Sequence, residues 1–98
     1  APPEARIVPD QLPVPIQLVP AVYPPLAMQL GAEGLVVVLV TVDEMGRVIG
    51  AVVSSSNTIE SLEQAALEAA RKCLFQPGMQ GHVPVRCQVE IPFEFRLR

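Results

Sequence analysis

The chain has 98 residues, half of them apolar, and a formal net charge of −3. This length predicts one small domain, which buries roughly 60–65% of the surface that its unfolded chain exposes. An acidic balance with one Tyr, three Phe and no Trp argues against nucleic-acid binding, which needs a basic surface and stacking aromatics. The apolar runs stay well below the ~18 residues of a membrane span, and we expect no signal peptide because no basic-then-apolar leader is present.

Proline dominates the start of the chain, where residues 1–25 contain eight of the eleven prolines. Proline at this density is incompatible with a helix interior or a central strand, so residues 1–22 are predicted to form an extended arm. Two interpretations stay open, a partly disordered linker or an arm ordered along the folded body. The second would use the apolar side chains of the arm, which include Ile7, Val8, Leu12, Val14, Ile16, Leu18 and Val19. The abrupt beginning also leads us to expect a fragment or a processed product.

A short helix and a hairpin are predicted next. Proline suits the first position of a helix and glycine its C-terminal cap, so residues 25–31 are predicted to be helical. Leu26, Ala27 and Leu30 are expected to face the sheet. Residues 34–53 then hold two apolar, mostly β-branched runs. Because Gly46 between them can adopt a positive φ at no steric cost, the runs are predicted to form an antiparallel hairpin.

A second helix is predicted to end at Leu74. Apolar or small residues recur on one helical face, namely Leu62, Ala66, Ala69 and Cys73. This spacing predicts an amphipathic helix packed on the sheet. Asn57 and Glu60 have the spacing of a capping box, with Thr58 and Ser61 as alternative caps.

A long strand is predicted for residues 83–97. Apolar residues occupy the odd positions from 85 to 97, and mostly polar residues occupy the even positions, which is the period of a half-buried strand. Pro84 and Pro92 cannot donate to a ladder, which places this strand at a sheet edge or introduces a bulge. Since an unpaired edge is a template for another strand, the edge allows a partner strand or a homodimer.

The predicted order is short helix, strand, strand, helix and strand, which is an α+β architecture. We expect a three-stranded antiparallel sheet packed on one helix, preceded by the short N-terminal helix and the proline-rich arm. Residues 1–22 form the arm in this division, and residues 23–98 form the folded domain.

The succession of these features resembles the C-terminal domain of the TonB family. The resemblance rests on short motifs in the correct order, which are Tyr23-Pro24 with Ala27, Glu33-Gly34 opening a Val-rich strand, Gly46-Arg47-Val48, Ser54-Ser55, Leu62-Glu63-x-Ala65-Ala66-Leu67-x-Ala69, Phe75-x-Pro77-Gly78 and the closing Pro-Phe-x-Phe strand. It covers residues 23–98, and the proline-rich arm is similar to the periplasmic spacer of the family. Two departures are Cys73, where the family usually has Trp, and Glu63, where it usually has Asp.

The resemblance implies mechanical coupling, with no enzymatic activity and no cofactor. Members of the family are anchored in the inner membrane, are driven there by proton-powered motor proteins through their N-terminal region, and grip outer-membrane transporters from the periplasm. The grip is a strand addition, in which the N-terminal peptide of a transporter pairs beside the last strand of the domain. By this resemblance the docking edge consists of Val83, Val85, Arg86, Cys87, Gln88, Val89, Glu90 and Ile91. Tyr23 and Pro24 match a second contact region of the family, and a packing anchor for the arm is an equal alternative.

Cys73 and Cys87 are both predicted on inward faces, one on the helix and one on the last strand. In the periplasm implied by the resemblance, a disulfide between them would join helix to sheet. Closing this loop of roughly 15 residues would add about 3 kcal/mol. Two separate buried thiols are the alternative. Two cysteines and the single histidine, His82, are too few for a structural zinc site with four ligands.

An enzyme is disfavoured by the residues themselves. His82 lies in a predicted turn, the serines of residues 54–56 lack a Ser-His-acid arrangement, and the glycines lack the spacing of a phosphate-binding loop. Two alternatives to an energy transducer remain. One is an interaction module of the same fold in another envelope machine, for secretion, surface motility or membrane sensing. The other is a small periplasmic hydrolase or redox protein, which would need a reactive cysteine.

Overall fold

The computed structural model describes residues 10–97. Along these residues the elements are β1 (Val14–Gln17), α1 (Pro25–Leu30), β2 (Gly34–Val42), β3 (Val48–Ser56), α2 (Glu60–Arg71), β4 (Leu74–Gln76), β5 (Gly78–Gln80), β6 (Val83–Val85) and β7 (Cys87–Phe95). The main antiparallel sheet has the order β3-β2-β7, and α2 packs on one face of it. The predicted α+β architecture is therefore confirmed. Ile7 and Val8, to which the prediction for the arm extended, lie outside the described residues.

The hydrophobic core lies between α2 and one face of the main sheet. Alternate residues of β2 are fully buried there, namely Val36, Val38, Val40 and Val42. The predicted stripe on the helix side is also buried, and it consists of Leu62, Ala66, Ala69 and Cys73. The small alanines let the helix approach the sheet closely. The burial of this apolar surface, worth about 25 cal/mol per Å², is the main stabilising contribution to the domain.

The hairpin of β2 and β3 turns where the sequence predicts it. Asp43 accepts hydrogen bonds from the N–H groups of Met45 and Arg47 through one carboxylate oxygen, at 2.9 and 2.8 Å. Gly46 has a φ of +85°, and a Cβ at this position would lie 1.9 Å from the carbonyl oxygen of Phe75. Both the backbone conformation and the close approach therefore require glycine.

The helix α2 ends earlier than the sequence predicts. It stops at Arg71, and Leu74, the predicted last residue, belongs to β4 instead. β4 is held from two sides, since it pairs with β1 and since the Phe75 N–H donates to the Gly46 carbonyl at 2.9 Å. Because these partners are distant in sequence, a prediction from helical periodicity alone extends the helix beyond its true end.

The N-terminus of α2 lacks the predicted capping box. Its N-cap residue is Ile59, and no side chain of residues 10–97 caps the helix. Asn57 bonds elsewhere, because its side-chain oxygen accepts the Leu35 N–H at 2.8 Å and its own N–H donates to the Leu35 carbonyl at 3.3 Å. Asn57 thus extends the pairing of β2 beyond the end of β3. The alternative caps, Thr58 and Ser61, are not the N-cap residue either.

The helix α1 forms where proline and glycine predict it, but it faces the sheet differently. Pro25 opens the helix, and Gly31 ends it with a φ of +67°. Ala27 is its buried residue, whereas Leu26 and Leu30 are 60% and 66% exposed. Leu26 and Leu30 share one helical face, and Ala27 lies about 100° around the axis from Leu26. A helix of six residues buries one of these faces, so the prediction that Leu26 and Leu30 face the sheet is wrong.

The described part of the arm, residues 10–22, lies along the folded body. β1 pairs antiparallel with β4. Nearer the N-terminus, Gln11 and Met79 of β5 exchange two backbone hydrogen bonds, at 3.1 and 2.9 Å. Asp10 accepts the Gly81 N–H at 2.7 Å. An arm ordered along the body, the second of the two interpretations, therefore describes these residues.

The long strand predicted for residues 83–97 is divided into β6 and β7. The break falls at Arg86, and β7 ends at Phe95. β6 pairs with β5, whereas β7 pairs with β2. The break therefore marks a change of pairing partner, which the alternation of side chains does not reveal.

Candidate partner-binding edge

The outer side of β7 is unpaired in the described part of the chain. β7 is the last strand of the main sheet. It pairs with β2 through nine consecutive residues, from Cys87 opposite Val42 to Phe95 opposite Gly34, without a shift of register. An edge that is regular over this length offers a row of backbone donors and acceptors to an incoming strand.

Alternate residues of β7 direct their backbone groups away from the sheet. Leu35 of β2 bonds with Asn57 on the β3 side. Successive residues of a strand bond to opposite sides, so the following residue, Val36, bonds with its β7 partner Phe93. The odd-numbered residues of β7 therefore face β2, and the outward-facing residues are Gln88, Glu90, Pro92 and Glu94. The position of Pro92 agrees with this assignment, because proline has no N–H to offer β2.

The side chains of β7 divide between a buried face and an exposed face. On the face toward α2, the buried or half-buried residues are Cys87, Val89, Ile91, Phe93 and Phe95. On the other face, the exposed residues are Gln88, Glu90, Pro92 and Glu94. An added strand would place alternate side chains beside the half-buried Val89 and Phe93 and the remainder beside polar groups. Affinity would come from the backbone ladder and specificity from these alternate contacts.

The charges near β7 are exposed and have partners within the domain. The Glu90 carboxylate accepts a hydrogen bond from the Ser54 hydroxyl at 2.7 Å. Arg86 Nε lies 4.0 Å from Glu44 Oε1. This is an exposed ion pair, and such pairs contribute about 0–1 kcal/mol. The backbone, more than charge, is therefore the main attraction that this edge offers.

The first part of the predicted docking edge lies on β6, whose inner side is paired. Val83 is opposite Gln80, and Val85 is opposite Gly78. Arg86 lies in the break between β6 and β7. The structure thus brings one group of the predicted residues together on the free edge of β7, namely Cys87, Gln88, Val89, Glu90 and Ile91. It places Val83 and Val85 on the neighbouring hairpin of β5 and β6.

Tyr23 lies at the C-terminal end of β7, away from the predicted docking residues. Its ring packs edge-on against Phe95 with ring centroids 5.4 Å apart, and its hydroxyl donates to the Ala32 carbonyl. Burial raises the pKa of Tyr23, and the neighbouring Glu33 carboxylate raises it further. Pro24 is the N-cap residue of α1. These are the contacts of a packing anchor between the arm and the sheet.

Cys73 and Cys87 are two free thiols, so the structure does not contain the expected disulfide. The Cys73 sulfur accepts the Val19 N–H at 3.4 Å and donates to the Ala69 carbonyl at 3.3 Å. Burial raises the pKa of Cys87, opposed by a hydrogen bond from the Gly78 N–H. The two sulfurs have different partners, as expected for separate buried thiols. A raised thiol pKa disfavours the reactive thiolate that a redox enzyme would need.

Sequence reasoning found β7 but missed part of its free edge. Glu94 also directs its backbone outward, although the predicted edge stops at Ile91. The even-numbered positions of Gln88, Glu90 and Glu94 are visible in the sequence, and Pro92 shares their parity. A proline in an edge strand favours this parity as the outward one, and the pairing with β2 establishes it. Within residues 10–97, no cluster of His, Cys, Asp and Glu suits a metal ion, and no helix there is long and apolar enough to cross a membrane.

The family profile described as "Gram-negative bacterial TonB protein C-terminal" matches residues 19–97. The chain belongs to the TonB C-terminal domain family. Protein TonB of Vibrio cholerae is 37% identical over 75 residues, which are 76% of this chain and 31% of that protein. Protein TonB of Xanthomonas campestris is 35% identical over 78 residues, which are 80% of this chain and 35% of that protein. The chain therefore spans about a third of the length of these TonB proteins.

Solved structures of TonB C-terminal domains share this fold. The solution structure of the Pseudomonas aeruginosa TonB domain has a TM-score of 0.72 at 28% identity and covers 96% of this chain and 94% of its own. That of Helicobacter pylori TonB has a TM-score of 0.62 at 30% identity, with 80% and 70% covered. The predicted family is confirmed. TonB proteins are energy transducers and not enzymes, in agreement with the prediction that this chain is not an enzyme.

Proposed function

We propose that this chain is the periplasmic domain of a TonB-type energy transducer. It binds the N-terminal peptide of outer-membrane transporters by strand addition to the outer side of β7. The observation that carries the proposal is the nine-residue pairing of β7 with β2, regular throughout and unpaired on its outer side among the described residues. Strand addition needs such an edge, because each added backbone bond depends on a donor or acceptor that is still free.

The other edge of the main sheet, β3, is less suited to strand addition. Its pairing with β2 shifts twice, between Val37 and Val38 and between Thr41 and Val42. Bulges interrupt the ladder and increase the local twist, which protects an edge from further pairing. β7 has no such interruption in its pairing with β2, so it is the edge that we assign to the partner.

Energy transduction also needs a route for force between two membranes. In this proposal the protein is anchored in the inner membrane, and its motor proteins act through sequence N-terminal to this chain. Force then enters through the arm, which bonds β5 through Gln11 and Met79. β5 pairs with β6, and β6 leads into β7, so backbone hydrogen bonds and the covalent chain together connect the arm to the docking edge. A homodimer, if it forms, would use the same edge.

A proline at Gln88 tests the assignment of the edge. Gln88→Pro removes one outward N–H without removing a bond to β2, so the domain should fold. We expect transporter peptides to bind about tenfold more weakly or not at all, since a ladder bond is lost and the ring obstructs the incoming strand. Calorimetric titration with N-terminal peptides of transporters from the same organism measures the affinity.

Glu94→Pro is the matched control, because it removes an outward N–H of the same strand outside the predicted docking residues. This variant should bind the peptides as the unchanged domain does. Undiminished binding by a folded Gln88→Pro variant would sink the proposal. Equal weakening by both substitutions would point to a general effect of proline on β7, and would also contradict the assignment.

A further inference from the structure

Two prolines occupy outward-facing positions of β6 and β7. Pro92 is opposite Val37, at a position where neither strand bonds to the other. Pro84 is opposite Met79, whose N–H and C=O are both bonded to Gln11 at 2.9 and 3.1 Å. The bonds between β5 and β6 therefore belong to Val83 and Val85, and the backbone of Pro84 faces away from β5.

The outer sides of β6 and β7 form one edge. The Phe75 N–H donates to the carbonyl of Gly46 at 2.9 Å, which holds β4 beside the turn between β2 and β3. β5 follows β4 after a single residue, Pro77. β5 thus lies near the turn that ends β2. Val83 and Val85, which bond to β5, have the same odd parity as the β7 residues that bond to β2, so β5 lies on the same side of β6 as β2 lies on β7. Pro84 and Pro92 consequently both interrupt the row of N–H donors on the same free edge.

We propose that Pro84 and Pro92 delimit the partner strand, which then pairs with residues 86–91 and no further. We call residues 86–91 the pairing window. Among its β7 residues, the outward N–H donors are those of Gln88 and Glu90. Ladder bonds recur at every second residue, so the window suits an extended peptide segment of about five residues. The inference rests on the proposed function and narrows the docking edge from residues 83–91.

The pairing window also defines the side chains that the partner needs. Val89, half-buried at the centre of the window, faces α2, whereas Gln88 and Glu90 are exposed on the open face. A partner side chain beside Val89 is therefore apolar, and its neighbours on the open face are polar. The missing donors also limit pairing between two copies of the chain, because prolines on an edge are a common protection against edge-to-edge association.

Peptide length tests the window. The first probe is a nine-residue peptide with capped ends, taken from the periplasmic N-terminus of a transporter. The second probe is a five-residue segment of that peptide, chosen because it protects the Gln88 and Glu90 amides from exchange. We expect the two peptides to bind the unchanged domain within about twofold of each other, since the outer four residues find no continuous ladder. The Glu94 amide should exchange at the same rate with and without the longer peptide.

Pro92→Ala should extend the window. It restores an outward N–H, so the nine-residue peptide should bind about fivefold more tightly than the five-residue peptide, as one net hydrogen bond gives. The Glu94 amide should then become protected. Pro84→Ala is the second variant and should lengthen the ladder at the other end, without a change at Glu94.

Three outcomes would contradict the proposal. Protection of the Glu94 amide by the nine-residue peptide in the unchanged domain would show that pairing extends beyond residues 86–91, while leaving strand addition intact. If neither Pro92→Ala nor Pro84→Ala bound the nine-residue peptide more tightly than the five-residue peptide, the prolines would not limit pairing, and strand addition would again be left intact. Failure of both peptides to bind any of the three proteins would contradict the proposed function itself, and the window with it.

Discussion

Gly46 shows how strongly a single residue constrains this domain. Its φ of +85° and the carbonyl oxygen of Phe75, 1.9 Å from where a Cβ would lie, act at the same position. We expect Gly46→Ala to lower the free energy of unfolding by about 3 kcal/mol or more, because β4 must move away from the turn. Urea denaturation followed by circular dichroism measures this loss.

Gly81 supplies the matched control for Gly46. It also has a positive φ, +63°, but a Cβ at this position would meet no atom of the described residues within 4 Å. Gly81→Ala should therefore cost only about 1 kcal/mol, the strain of a left-handed backbone. Equal losses in the two variants would show that contact with β4 does not limit the turn.

At the scale of elements, the hairpin of β2 and β3 depends on one carboxylate in its turn. The pKa of Asp43 lies below its usual value, mainly because the carboxylate accepts a hydrogen bond from the Arg47 N–H. Burial of the carboxylate opposes this shift, whereas the Met45 N–H and the charge of Arg47 lower the pKa further. The folded-state pKa is thus below the unfolded one. This stabilisation is present above pH ~4 and is lost as pH falls through the folded-state pKa.

Asp43→Asn isolates this effect, since the amide keeps an oxygen acceptor for Met45 and Arg47 but does not titrate. We expect the free energy of unfolding of the unchanged domain to fall more steeply than that of the variant between about pH 5 and pH 2. Urea denaturation at a series of pH values gives both curves. Parallel curves would mean that Asp43 is no more stabilising when charged than when neutral.

The elements that the sequence predicts well are those whose signals are local. The turn at Gly46, the helix opened by Pro25 and the stripe of α2 each depend on neighbouring residues. β4 and β5 are not predicted, because three residues are too few to show the period of a strand. β5 pairs with the neighbouring β6, whereas β4 is held by β1, a partner far away in sequence. The same reason explains the early end of α2 and the use of Asn57 by β2 in place of a helix cap.

At the scale of the whole molecule, the arm and the docking edge belong to one backbone network. The sequence predicts the alternation of β7 and its edge position, because prolines and period two are visible there. The even-numbered prolines favour that parity as the outward one, but the sequence does not establish it, since it depends on the pairing of Leu35 with Asn57. Nor does the sequence predict that Gln11 pairs with Met79 of β5, because the two residues lie far apart in the chain.

The central claim is that a partner strand adds to the outer side of β7. A backbone-amide NMR titration of this chain with transporter N-terminal peptides tests it most directly. We predict slowed amide exchange at Gln88 and Glu90, with smaller shifts at Val89 and Ile91, whose amides are already bonded to β2. Changes confined to the β3 edge, or a silent titration of a folded domain, would contradict the claim.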